Sequence, residues 1–313
     1  MKIIKPKKLN KNDVIGIVSP ASSPDHYEAI ENGVKYLEGI GYRVKIGKNV
    51  GKKHGYLAGS DEERLDDLHK MFADKEVKAI FSLRGGYGSG RLLDKLNFPL
   101  IKKNPKVLVG YSDITALQMA IFNKTGLVTF AGPMVATDFS GEVNKFAEEN
   151  FWNVLTNSKK IGKIYNPQKE KFYILNSGRG EGKLLGGNLA LVNSLMGTPY
   201  LPKFKDSILL LEDIGEEPYR VDRLLNQLKL ANVFADINGI ILGRFVDCYT
   251  KDKTNDAIKL NEVIEHYLSP LKIPVIYNFS HGHIKDNLTI PFGINCKLNA
   301  SRGFVEFTES AVS

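Results

Sequence analysis

Between residues 14 and 132, short apolar runs alternate with segments of helical periodicity. Residues 14–19, 78–83 and 107–110 have the length and composition of buried strands. The first segment between them places apolar residues three and four positions apart and stops at Gly41, as expected for a helix with a glycine after its end. Alternation of this kind predicts a mostly parallel, doubly wound α/β sheet, in which functional sites lie at the carboxyl ends of the strands.

The second half of the chain has a different pattern. We predict a helix over residues 186–197, a buried strand over 207–213, a helix beginning near Pro218, and antiparallel hairpins in the tail. Residues 156–179 are polar, lysine-rich and weakly periodic. We therefore expect an N-terminal α/β domain at 1–155, a linker at 156–179, and a mixed β/α domain at 180–313.

Composition narrows the functional classes. The net charge of the 313 residues is +8, but the lysines are dispersed, so we expect no nucleic-acid partner. No apolar stretch approaches the roughly 20 residues of a membrane span, and we expect no membrane partner. Cys248 and Cys296 lack any CxxC spacing, which favours a reducing compartment, and we place the protein in the cytoplasm.

The apolar run at 107–110 ends abruptly at Tyr111, Ser112 and Asp113, and a helix follows. Such a strand-turn-helix junction lifts a hydroxyl out of the packed layer and offers unpaired N–H groups to an oxyanion. Ser112 is therefore a candidate nucleophile, and the alternative is a plain helix cap. The window is not the GxSxG elbow, because Ile114 occupies the place of its second glycine.

The segment RGGYGSGR, residues 84–91, resembles a phosphate loop but fails its requirements. Arg91 and Leu92 stand where the Walker A motif needs Lys and Ser/Thr. We expect instead that the backbone N–H of Gly85 or Gly86 binds an oxyanion together with the N–H of Asp113; a plain turn is the alternative.

A base and an orienting acid are expected from the second half. Glu212 ends a strand that we predict to be buried, so its carboxylate must either pair or face a cleft. His281 and His283 lie on a glycine-containing loop after a predicted strand, and the sequence alone does not separate them. No HExxH motif or further ligand spacing accompanies them, so we expect no metal or other cofactor.

Several co-linear segments together resemble the LD-carboxypeptidase (murein tetrapeptide carboxypeptidase) family of serine peptidases, which also includes microcin C immunity peptidases. They are SLRGGYGSGRLL, VGYSDITAL, LLGGNLALVNSLMGTPY, LLLEDIGEEPYRVDRLLNQL, IILGRF and GHIKDNLTIPFG. The resemblance implies a flavodoxin-like N-terminal domain, a swivelling-type β/α C-terminal domain, and a homodimer. It also places the nucleophile on Ser112, the acid on Glu212 and the histidine on His283, which precedes an Ile-Pro-x-Gly pattern as in the family.

The implied function is hydrolysis of the bond to the terminal D-alanine of murein tetrapeptide in cell-wall recycling, with a small muropeptide as the partner. Arg84 and Arg244 are candidates for binding the substrate carboxylate, although structural ion pairs are the usual role of such arginines. One alternative is a microcin C-type immunity peptidase that cleaves peptide-nucleotide conjugates. Another, of a different class, is a non-catalytic protein that binds muropeptides or an anion.

Overall fold

The computed structural model describes residues 2–167, 170, 172–251 and 257–313. The strands are β1 Val14–Val18, β2 Arg43–Ile46, β3 Val77–Ser82, β4 Val107–Gly110, β5 Thr129–Ala131, β6 Gly162–Ile164, β7 Tyr173–Asn176, β8 Arg179–Asn188, β9 Ser207–Ile214, β10 Gly239–Val246, β11 Val275–Tyr277, β12 Ile290–Phe292, β13 Asn295–Asn299 and β14 Phe304–Phe307. The α-helices are α1 Glu28–Gly39, α2 Asp61–Ala73, α3 Phe98–Lys103, α4 Thr115–Thr125, α5 Val135–Asp138, α6 Lys145–Thr156, α7 Leu189–Ser194, α8 Pro218–Leu230, α9 Val233–Asp236 and α10 Leu260–Leu268. The 3-10 helices are Ser89–Lys95, Ser112–Ile114 and Ala300–Arg302.

The first sheet has the order β12-β5-β4-β3-β1-β2, in which β1 to β5 are parallel and β12 pairs antiparallel with β5. This is the flavodoxin-like order with one added edge strand. The chain reverses direction across the sheet between β1 and β3, so the loops that follow these two strands diverge and leave a crevice. The predicted doubly wound N-terminal sheet is confirmed.

The second sheet has eight strands in the order β6-β14-β13-β8-β9-β10-β11-β7. Its centre, β8 to β11, is parallel, and antiparallel strands flank it on both sides. The mixed β/α character predicted for the second half is therefore confirmed.

Two features of this half differ from the expectations. Gly186 and Gly187 continue strand β8 instead of entering a helix, and α7 starts only at Leu189. A side chain at Gly186 would lie 1.9 Å from the carbonyl oxygen of Leu210, so glycine is required for the close approach of β8 to β9. The segment predicted as a linker, residues 156–179, contributes β6 and β7 to the second sheet. Its residues 168, 169 and 171 lie outside the described residues. The domain boundaries themselves stay predictions.

Local sequence signals explain several element ends. At the start of α2, the Ser60 hydroxyl accepts from the Glu63 N–H at 3.2 Å, and the Glu63 carboxylate accepts from the Ser60 N–H at 3.0 Å. This is a capping box, which the Ser-x-x-Glu spacing of residues 60–63 indicates in the sequence. Pro218 occupies the first turn of α8, where its missing N–H costs nothing.

The two sheets are joined by shared packing. One apolar cluster includes Val109 of β4 and Leu210 of β9, and strand β12 from the second half completes the edge of the first sheet. Directly after β12, Gly293 lies against the ring of Phe122 in α4. The site that these halves form together thus depends on their docking.

We predict that Gly293→Ala lowers the free energy of unfolding by about 2–4 kcal/mol, because the residue has φ of 99° and its Cβ would lie 2.2 Å from Phe122. Gly141→Ala is the matched control, since a Cβ there meets nothing within 4 Å. Urea unfolding of both variants measures the difference. Equal stability of the two would show that this contact does not restrict the fold.

Candidate active site

Ser112 lies where β4 ends and the 3-10 turn before α4 begins. Its φ is +61°, a conformation that costs energy for a residue with a side chain. Its side chain is partly exposed, whereas the flanking Tyr111 and Asp113 are buried. The turn therefore presents this hydroxyl at the carboxyl end of the sheet, as the sequence predicts.

The imidazole of His283 bridges Ser112 and Glu212. The distance from His283 Nε2 to Ser112 Oγ is 2.9 Å, and that from His283 Nδ1 to Glu212 Oε2 is also 2.9 Å. A carboxylate only accepts hydrogen bonds, so Nδ1 carries the proton of the neutral ring and Nε2 accepts from the serine hydroxyl. This is the hydrogen-bonded arrangement that a nucleophile, base and orienting acid require.

Glu212 is buried near the end of β9, with only 1% of its side chain exposed. Gly282, which precedes the histidine, has φ of 129°, and a Cβ there would lie 2.9 Å from Glu212 Oε2. The Gly-His sequence is therefore needed sterically, because only glycine lets the histidine loop approach the carboxylate.

The environment shifts the protonation equilibrium of His283. Burial is the largest single influence and lowers its pKa. The hydrogen bond and charge of Glu212, with smaller effects of Asp213 and Asp138, raise the pKa and together outweigh burial. The net result is a pKa above the ordinary histidine value. The site thus favours the imidazolium that forms when the ring accepts a proton.

The structure separates the two histidines that the sequence leaves open. His281 is buried, and its Nδ1 hydrogen-bonds the carbonyl oxygen of Leu288 at 2.8 Å. Burial lowers its pKa. His281 therefore supports the loop, whereas His283 is the histidine in contact with Ser112.

Gly85 and Asp113 lie beside the serine hydroxyl. An ideal Cβ on Gly85 would be 3.0 Å from Ser112 Oγ and 3.6 Å from the Asp113 nitrogen. Within the described part of the chain, the N–H groups of Gly85, Gly86 and Asp113 donate to no protein acceptor. They are thus available to an anionic oxygen next to Ser112, and their role as an oxyanion hole stays a prediction.

The side chain of Asp113 fixes the glycine loop. Its carboxylate accepts from the N–H of Gly88 at 3.2 Å and from that of Ser89 at 2.8 Å, and the Ser89 hydroxyl donates to the Asp113 carbonyl oxygen at 2.5 Å. Burial raises the pKa of the Asp113 carboxyl, and the Ser89 hydrogen bonds oppose that shift. The nucleophile turn and the glycine loop therefore form one bonded unit.

The two candidate arginines have different partners. Arg84 directly precedes the glycine loop, donates to the Ser23 carbonyl oxygen at 3.1 Å, and lies 4.0 Å from the exposed Asp25. Arg244 forms an ion pair with Glu170. Both have the protein partners of structural arginines, and a role for either in binding the substrate carboxylate stays a prediction.

A second set of contacts links the nucleophile helix to the acid strand. The Asn188 N–H donates to Thr115 Oγ1 in α4 at 3.1 Å, and Asn188 Nδ2 donates to Asp213 at 2.9 Å. Asp213 also accepts from the Ala190 N–H at the start of α7. The Asp213 carboxylate is buried at the N-terminus of α7, and burial followed by the charge of Glu212 raises its pKa to about 7.

Tyr111 and Asp138 were not predicted as part of the site. The ring of Tyr111 packs edge-on to the His283 imidazole, with centroids 5.1 Å apart. Removal from water raises the pKa of Asp138 to about 6, while the Met134 N–H and the charge of His283 oppose that shift. Tyr111 could be identified as a site residue from its position next to Ser112, but nothing in the sequence places Asp138 near the histidine.

Family models match both halves of the chain. The LD-carboxypeptidase N-terminal domain matches residues 15–132, and the LD-carboxypeptidase C-terminal domain matches residues 181–298. The chain belongs to the LD-carboxypeptidase family. Among its relatives, a probable murein peptide carboxypeptidase of Bacillus subtilis (strain 168) is 40% identical over 95% of this chain and 92% of that protein.

Solved structures of LD-carboxypeptidase relatives share the fold. Muramoyltetrapeptide carboxypeptidase from Oxalobacter formigenes superposes with a TM-score of 0.83 and 31% identity, covering 93% of this chain and 97% of that one. MccF in complex with glutamyl sulfamoyl guanosine superposes with a TM-score of 0.89 and 28% identity, covering 99% of each chain. The predicted family, two-domain fold and enzyme class, a serine-type carboxypeptidase, are confirmed.

The described residues hold neither a membrane-spanning helix nor a metal-binding cluster. Across the described ranges, no helix combines the length and apolar character needed to cross a membrane. Among the same residues, no cluster of three or more histidine, cysteine, aspartate or glutamate side chains is arranged to hold a metal ion.

We predict that Glu212→Gln moves the pKa of His283 from above the ordinary value of about 6.5 to below it, because burial then acts with much less opposition. NMR titration of the imidazole Hε1 signal measures this, and Glu217→Gln, a charge change on the loop after β9, is the control. An unchanged midpoint in Glu212→Gln would mean that the carboxylate does not control the ring.

Proposed function

We propose that this LD-carboxypeptidase family member removes the terminal D-alanine from murein tetrapeptide, with Ser112 as nucleophile, His283 as general base and Glu212 as orienting acid. The observation that carries the proposal is the continuous pair of 2.9 Å contacts from Ser112 through His283 to Glu212. The Bacillus subtilis and Oxalobacter formigenes relatives, named for murein peptide substrates, support the choice of substrate.

In the acylation step, Ser112 Oγ attacks the carbonyl carbon of the scissile bond while His283 Nε2 takes the hydroxyl proton. Glu212 accepts the Nδ1 hydrogen bond and stabilises the imidazolium. The N–H of Asp113 and that of Gly86 or Gly85 donate to the tetrahedral oxyanion. His283 then gives the proton to the departing amine, the C–N bond breaks, and D-alanine leaves while the acyl group remains as an ester on Ser112.

Water completes the reaction. His283 removes a proton from the attacking water, the second tetrahedral intermediate uses the same N–H donors, and its collapse returns the proton to Ser112 Oγ. The products are the shortened peptide with a free carboxylate and the regenerated enzyme.

The microcin C-type activity is the second candidate. It is favoured by the structural similarity to MccF solved with glutamyl sulfamoyl guanosine. In a peptide-nucleotide conjugate, the bond between the acyl group and the nucleotide part would be cleaved by the same three residues, so the triad alone does not separate the two substrates. Aromatic rings that could stack on a nucleobase do not separate the two substrates either. The only tryptophan, Trp152, stacks on Tyr42 and packs against Phe151, but the exposed rings of Tyr56 and Tyr87 lie on loops at the active-site edge. We rank the muropeptide first because the Bacillus subtilis and Oxalobacter formigenes relatives are named for murein peptides.

We further propose a cytoplasmic enzyme that acts as a homodimer. The buried free thiols of Cys248 and Cys296 support a reducing compartment. The homodimer rests on the family resemblance alone, and sedimentation equilibrium of the purified chain tests it.

Incubation with L-Ala-D-Glu-diaminopimelate-D-Ala should release free D-alanine, and Ser112→Ala should lower kcat at least about 10³-fold, as removal of a triad nucleophile does. A glutamyl sulfamoyl nucleoside assayed in parallel distinguishes the second candidate. Release by Ser112→Ala at the wild-type rate would refute the serine mechanism. Binding of the tetrapeptide without any release by the wild type would favour the non-catalytic alternative.

A further inference from the structure

Ser22, in the loop after β1, hydrogen-bonds two other loops at the active-site edge of the first sheet. Its backbone N–H donates to the Gly85 carbonyl oxygen at 3.2 Å. Its Oγ accepts from the Tyr87 N–H at 3.1 Å and donates to the Tyr56 carbonyl oxygen at 2.5 Å. Gly85 and Tyr87 follow β3, and Tyr56 lies between β2 and α2. One partly exposed serine thus joins the loops that follow β1, β2 and β3.

These contacts orient the peptide that joins Gly85 to Gly86. In a trans peptide the C=O and the N–H point in opposite directions. Since the Gly85 carbonyl faces the Ser22 N–H, the Gly86 N–H points away from Ser22. Gly85 itself lies against the nucleophile, because a Cβ there would be 3.0 Å from Ser112 Oγ.

The contact between Ser22 and the glycine loop is tight. Gly86 has φ of 108°, and a Cβ on it would lie 2.4 Å from Ser22 Oγ. The Tyr87 N–H bond to the same oxygen fixes the next peptide as well. Ser22 therefore contacts the loop at Gly86 and restricts the orientation of the two peptide groups that flank this residue.

The fold places Ser22 well for this task. The loops after β1 and β3 lie on either side of the point where the sheet order reverses, and such loops otherwise diverge. Flexible glycines in the loop after β3 would sample many orientations without an external support. Backbone and side-chain bonds from a single residue across the crevice supply that support.

We propose that Ser22 is a positioning residue that holds the Gly86 N–H in the orientation needed to donate to the oxyanion. The inference rests on the proposed role of Ser112 as nucleophile. Ser22 does not touch the reacting atoms; it acts through the Gly85–Gly86 peptide. Its loss should weaken binding of the tetrahedral state more than binding of the substrate.

The test compares Ser22→Ala with Ser23→Ala, a matched control whose buried hydroxyl has no hydrogen-bond partner among the described residues. For Ser22→Ala we expect kcat on the tetrapeptide to fall about 10-fold to 50-fold, less than the 10²–10³-fold typical for removal of an oxyanion donor itself, with KM within about 2-fold. Affinity for a peptide boronic acid, which forms a tetrahedral adduct with a serine, should fall by the same factor as kcat/KM. Ser22→Thr, which keeps the hydroxyl, should recover most of the loss.

Two kinetic results would overturn the inference: a kcat for Ser22→Ala within about 2-fold of that for Ser23→Ala, or a lower kcat with unchanged boronic acid affinity. Thermal unfolding of each variant distinguishes positioning from general destabilisation. The inference also fails if the unfolding midpoint of Ser22→Ala lies so far below that of Ser23→Ala that unfolding explains the lost activity. Ser112→Ala is assayed alongside. If that variant keeps full activity, the proposed function fails whatever Ser22→Ala does.

Discussion

The contact between Ser112 and His283 is the constraint on which the rest of the site depends, because it joins residues from two different sheets. Ser112 follows β4 of the first sheet, whereas Glu212 lies near the end of β9 of the second and His283 lies on the loop after β11. An ion pair or hydrogen bond that must form across such a boundary requires docking accurate to a fraction of an ångström. The Thr115–Asn188–Asp213 bonds, the packing of Phe122 on Gly293, and the addition of β12 to the first sheet all restrict that docking.

Glycine makes the close approaches possible on both sides of the boundary. Gly85 lies against the serine hydroxyl, Gly282 lies against the Glu212 carboxylate, and Gly187 lies against Thr115. At each of these positions a methyl group would collide with an atom of the site or of the contact that orients it. The strained φ of Ser112 belongs to the same arrangement, since the buried neighbours Tyr111 and Asp113 hold the turn in place. Packing energy elsewhere in the two sheets offsets these local costs.

Local sequence predicted the sheet class, the capping box at Ser60 and the position of Ser112 after β4, because each depends on neighbours within a few residues. Only the family resemblance favours His283 over His281 from the sequence. The contacts of each ring explain the choice physically, because His283 hydrogen-bonds Ser112 whereas His281 hydrogen-bonds a backbone carbonyl. The helix predicted over residues 186–197 begins too early, since Gly186 and Gly187 belong to β8 and the close strand approach that needs glycine is a tertiary contact. Ser22 and Asp138 carry no local signal, since their partners lie on other loops and helices. Neither could be found without the fold.

The most direct test of the whole arrangement is a crystal structure of the protein with a muropeptide analogue in which a boronic acid replaces the scissile carbonyl group. The account predicts a covalent bond from boron to Ser112 Oγ, with one boronate oxygen about 2.7–3.1 Å from the N–H of Asp113 and from that of Gly86 or Gly85. His283 should remain between Ser112 and Glu212 in that complex. A boronate bound elsewhere, or one on Ser112 whose oxygen faces away from these N–H groups, would contradict the account.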